Sequence, residues 1–93
     1  MTTRRPPWHP SWESHPGEML REKLQEMGLT QKAAAERLGI AAPEFSGLVT
    51  GARRITPMQA LRLEDLTGIS ARMWLHCQAD YDLSVERARR GNR

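Results

Sequence analysis

Few side chains stand where they could carry a reaction. His76 and Cys77 are neighbours, but consecutive helical positions point about 100° apart, so adjacency does not make them a nucleophile and base. Glu64 with Asp65, and Asp80 with Asp82, pair carboxylates without a cleft that could raise the pKa of one member. Gly47 and Gly51 are isolated, and no Lys-Ser or Lys-Thr pair follows either, so there is no phosphate-cradling loop. His9 and His15 lack the cysteine or carboxylate set that would complete a metal site. What remains is Arg53 beside Arg54 in TGARRITPMQ, two fixed cations on a loop, where phosphate-positioning arginines often lie. The expectation is a binding protein, not an enzyme, with no metal or cofactor.

The elements before that loop decide what the arginines are for. In TQKAAAERLGIAAPEFSGLVTGARRI, Thr30 can cap a helix whose Ala34, Leu38 and Ala35 face inward, and Gly39 ends it before a three-residue corner. A second short helix starts near Pro43, with Phe45, Leu48 and Val49 as its apolar face, and Gly51 terminates it. Two short helices around a glycine corner over residues 30–50 form the pattern of a helix-turn-helix. An ordinary αα corner has the same local features, so this stretch alone leaves DNA binding and plain packing both open.

Three more helices should hold the device. The first begins at Pro16, with Glu18 near its positive end and Met19 or Leu20, Leu24 and Met27 inward; Gly28 closes it. Ile55 reads as a buried plug. Thr56, Pro57 and Gln59 give a cap, a first-turn proline and a capping-box glutamine, opening a fourth helix to about Leu66 with Met58 and Leu61 inward. Ser70 caps a fifth helix through Met73, Trp74, Cys77 and Tyr81, with Trp74 in the core and Cys77 a buried small hydrophobe.

Ninety-three residues make one domain, with a core too small to surround a deep substrate cavity easily. Aromatic content is 5%, and Ala, Leu and Met supply most of the apolar mass, which favours an all-α fold. The single cysteine excludes an internal disulfide, and no apolar run approaches membrane-spanning length, so a cytoplasmic setting is the default. The organisation expected is a flexible N-terminal arm at 1–15, a helix-turn-helix domain at 16–83, and a basic tail at 84–93 that could extend the last helix. Trp8 and Trp12 in the arm should pack back on the domain or dock a partner. The net charge of +3 sits in the ends, because residues 17–83 hold eight basic residues against nine acidic ones.

With these residues in place, the chain resembles the HigA family of antitoxins, within the Cro and lambda-repressor-like helix-turn-helix superfamily. The resemblance spans roughly residues 13–85. It rests on the ordered blocks HPGEMLREKL at 15–24, GLTQKAAAERLGI at 28–40, VTGARRITPMQALRLEDLTGIS at 49–70 and MWLHCQADYDL at 73–83. It implies a lambda-repressor-like DNA-binding domain of about five helices. It also implies a homodimer that represses its own operon at a palindromic operator and neutralises a HigB-like mRNA-cleaving toxin. Gln31 matches the residue that generally holds DNA backbone, Ala42 to Thr50 match the recognition helix, and Arg53 matches the basic residue of the next loop. The candidate DNA contacts are therefore Gln31, Ala42, Pro43, Glu44, Ser46, Gly47, Thr50, Arg53 and Arg54. The sequence departs from many relatives on the reading face, where Pro43, Glu44, Ser46 and Gly47 offer no long cationic or amide side chain. Two further readings stay in play: a stand-alone repressor with the same fold and no toxin partner, and, motivated by Glu44 and Gly47, an antitoxin whose helix-turn-helix is mainly a protein-interaction scaffold. The dimer seam is expected on exposed parts of the fourth and fifth helices.

Overall fold

The computed structural model of the protein describes residues 15–91. Five helices follow in order: α1 (Pro16–Met27), α2 (Gln31–Leu38), α3 (Ala42–Thr50), α4 (Pro57–Thr67) and α5 (Ala71–Arg89). No strand occurs among the described residues, as the composition predicts. The arm carrying Trp8 and Trp12 lies outside the described residues.

Each helix start is chemically marked. Thr30 Oγ1 accepts from the Ala33 amide at 3.0 Å, and Ser70 Oγ accepts from the Met73 amide at 3.1 Å. Thr56 and Gln59 close a reciprocal capping box at the start of α4, each accepting at 3.2 Å from the other's backbone amide. His15 caps α1 with its ring, Nδ1 accepting from the Gly17 amide at 3.0 Å. Only α3 starts without a side-chain cap; a proline in its first turn sets the backbone angle instead.

The core joins Leu20 and Leu24 of α1, Ala34 and Ala35 of α2, Phe45, Leu48 and Val49 of α3, Ala60 and Leu63 of α4, and Trp74 of α5. Ile55 plugs the loop between α3 and α4, as its position suggests. Trp74 is wholly buried and its indole Nε1 donates to the Ile69 carbonyl at 3.1 Å, so the polar edge of the largest core side chain is satisfied. The apolar stripe of α4 is corrected: Met58 and Leu61 are 63% and 58% exposed, while Ala60 and Leu63 face the core. Met27, expected inward on α1, is also exposed, and Leu20, not Met19, is the fully buried member of its pair.

The seating of α1 on α3 depends on one glycine. A β-carbon on Gly17 would stand 2.2 Å from the Val49 carbonyl oxygen and 2.4 Å from that of Leu48. The amino end of α1 thus packs directly on the last-turn carbonyls of α3, fixing the orientation of α3.

Candidate nucleic-acid interface

Of the candidate residues, Gln31 lies on α2, Ala42, Pro43, Glu44, Ser46, Gly47 and Thr50 lie on α3, and Arg53 and Arg54 lie on the loop that follows, with Glu44, Arg53 and Arg54 sharing one groove. Gln31 is the exposed first residue of α2. On α3 the buried face is Phe45, Leu48 and Val49, so at 3.6 residues per turn Pro43, Gly47 and Thr50 lie roughly opposite it. Pro43 and Thr50 are exposed, as is Ala42, and Ser46 is half-buried at the edge.

Glu44 is turned sideways. Its Oε2 accepts from Gln59 Nε2 at 2.7 Å, and Gln59 Oε1 is engaged by the Thr56 amide, so the α4 capping box holds the carboxylate. Gln59, which local spacing marks only as a capping residue, is thus part of the site; nothing in that spacing pairs it with Glu44. Arg62 likewise joins from α4, its Nη1 donating to the Leu38 carbonyl at 2.8 Å and tying α4 to the end of α2. The groove between α3 and α4 is lined by Glu44, Thr56, Gln59 and three arginines, Arg53, Arg54 and Arg62, among others.

The two loop arginines have different surroundings. Arg54 donates through Nε at 3.1 Å and through Nη2 to the same oxygen, Asp82 Oδ2 on α5. The hydrogen bond from Arg54 holds the Asp82 carboxyl below the ordinary carboxylate range, and Asp82 in turn raises the guanidinium. Gln78 completes the arrangement: Oε1 accepts from the Ile55 amide at 2.8 Å and Nε2 donates to Asp82 Oδ1 at 3.0 Å. The spacing of four between Gln78 and Asp82 puts them on one helix face, a sequence signal for that pair but not for its target on the loop.

Arg53 runs back over α3. Its amide donates at 3.0 Å to the Gly47 carbonyl, which also accepts at 3.0 Å from the Gly51 amide. Gly51 makes the reversal possible with φ of 90°, and a side chain there would meet the His15 ring. The stem of Arg53 then lies on Gly47, its Cδ and Cγ 2.8 and 2.9 Å from where a β-carbon at 47 would stand. That cover is why Gly47 is buried at the centre of an outward face. Away from this surface, Cys77 is half-buried where full burial was expected, and this burial pushes its thiol up, with Asp80 adding to the effect, which weakens it as a nucleophile.

Comparison with known proteins agrees with this architecture. The family model described as Helix-turn-helix matches residues 20–74. Virulence-associated protein I of Dichelobacter nodosus is 42% identical over 72 residues, covering 76% of this chain and 67% of that one. A HigA-family addiction module antidote protein from Coxiella burnetii superposes with a TM-score of 0.81 at 32% identity, over 86% of this chain and 88% of that one. The structure of Pseudomonas aeruginosa antitoxin HigA with the higBA promoter gives a TM-score of 0.80 at 34% identity, with the same two coverages.

Proposed function

Since the chain belongs to the helix-turn-helix family, and within it to the HigA-type antitoxins, we propose that it binds its own operator as a homodimer and neutralises a HigB-like mRNA-cleaving toxin. The observation that supports this best is the likeness, over 86% of the chain, to an antitoxin HigA solved with promoter DNA. In this reading α3 lies in the major groove. Gln31 and Arg54 make the phosphate contacts that set its register, and Arg53 with Ala42, Pro43, Glu44, Ser46, Gly47 and Thr50 forms the surface that faces the groove. Two copies are needed to read a palindrome, and the exposed Met58 and Leu61 of α4 with Leu83 and Val85 of α5 supply apolar side chains for the seam.

Two experiments test the two halves. A mobility-shift titration at stated salt should show preference for the protein's own upstream region over random duplex. Absence of preference counts against repression. Co-expression with the adjacent small gene should yield a stable complex and restore growth; failure of both counts against the antitoxin role.

A second reading, a helix-turn-helix retained as a protein-interaction scaffold, is favoured by the short side chains of Pro43, Ser46 and Gly47. It requires that replacing Arg53 and Arg54 together by alanine leave physiological activity unchanged.

A further inference from the structure

We propose that Arg53 is the base-reading group of this protein, delivered from the loop onto the outward face of α3, and that Gly47 is the position that makes room for it. The proposal rests on the operator-binding reading above and says which side chain of the site reads sequence.

Gly47 leaves a space on the helix, and Arg53 fills it. The glycine stands across the helix from Phe45, Leu48 and Val49, at the middle of the face that a major groove would meet. A side chain there would project straight outward, and instead the methylenes of Arg53 occupy that space. The shared Gly47 carbonyl, accepting from both Gly51 and Arg53, fixes the path of the loop over the helix. The arginine backbone is therefore anchored on the same residue over which its side chain lies.

The state of the neighbouring cations points the same way. Of the three arginines that line the groove, Arg54 is engaged by Asp82 and Arg62 by the Leu38 carbonyl. Among the described residues the Arg53 guanidinium has no hydrogen-bond or ion-pair partner. A planar fork of N–H donors matches the O6 and N7 acceptors of guanine, and a stem packed along the helix restricts the rotamers it would otherwise lose on binding. Phosphate positioning needs only charge, which lysine carries equally well; at a guanine edge the planar fork makes two parallel hydrogen bonds that a lysine ammonium reproduces with poorer geometry.

The test uses the full chain, its own upstream operator, and a set of operators with each base pair replaced in turn, read by fluorescence anisotropy across a salt series. Arg53→Lys is expected to keep the salt slope and lose about tenfold to a hundredfold of discrimination at one G·C pair per half-site. Gly47→Ala, whose methyl must displace the Arg53 stem, is expected to lose discrimination at that same pair. Combined with Arg53→Ala, the glycine change should have no further effect on the preference profile. Circular dichroism melts identify any variant that fails to fold; the lysine variant, whose exposed side chain leaves the core untouched, carries the test if the alanine variant does. If Arg53→Lys and Arg53→Ala both keep the full profile, Arg53 only touches phosphate and the proposal is overturned. It is overturned as well if Gly47→Ala lowers discrimination equally with and without Arg53. A wild-type protein that shows no preference for its operator overturns the operator reading itself, and base reading with it.

Discussion

At the scale of single residues, Gln78 carries more of the structure than its place on a mostly polar helix suggests. It is a buried amide with both ends used, one on the Ile55 backbone and one on Asp82. Replacing it by leucine leaves the Ile55 amide buried and unpaired, which costs about 2 kcal/mol. The expected result is a lower urea midpoint with an unchanged slope, since the folded state is equally compact. Asp82 adds a pH dependence of definite sign. Its folded pKa lies below the unfolded value of about 4, so its contribution is present above pH 4 and is lost as pH falls through the folded pKa. Asp82→Asn should therefore melt below wild type at pH 7, and the difference should narrow as thermal melts are repeated at pH values stepped down from about 4. A gap that persists unchanged at the acid end would mean the carboxylate is not the source.

Among the elements, the caps are the features that sequence and structure share most directly. Thr56→Ala removes one half of the α4 capping box and should cost about 1 kcal/mol. It should also loosen Glu44, because Gln59 is held by the same box. Gly17→Ala is expected to be worse, about 3 kcal/mol, because its methyl would collide with backbone carbonyls that cannot rotate away. Both are measured by thermal or denaturant melts against wild type. The two positions differ in how far they can be read from sequence. Thr30, Thr56 and Ser70 announce helix starts because a cap acts within three residues, and periodicity over residues 45–49 identifies the α3 core face correctly. The α4 stripe misleads because Met58 and Leu61 repeat at the same helical spacing as Ala60 and Leu63, and residue size favours the wrong pair. Gly17, Gln59 and Asp82 give no sequence signal as site-forming residues, since their contacts lie 15 to 32 positions away in the chain.

For the whole molecule, charge and copy number make one joint prediction. Residues 17–83 carry eight basic and nine acidic side chains, so the domain offers phosphates no general attraction and must rely on a few placed cations. Arg53 and Arg54 are two per copy. A dimer on a palindrome brings four cations onto the duplex, Arg54 at a phosphate and Arg53 in the groove of each half-site, and the counterions that they displace together give a slope of log affinity against log salt of about −4. One copy gives about −2. The seam residues let the two cases be compared in one protein, because Leu83 is half exposed on α5 and its change to aspartate should leave the core of Leu20, Phe45 and Trp74 intact. Light scattering at micromolar concentration should find two chains for wild type and one for Leu83→Asp. The variant should keep its helical signal, bind the operator at least tenfold more weakly, and show the shallower slope. A wild-type mass of one chain with the slope already near −2 would remove the dimer from the proposal. A slope much steeper than −4 would instead bring the arginines of α5 beyond Leu83, Arg87 and Arg89, onto the DNA, and their replacement by glutamine would return it to about −4.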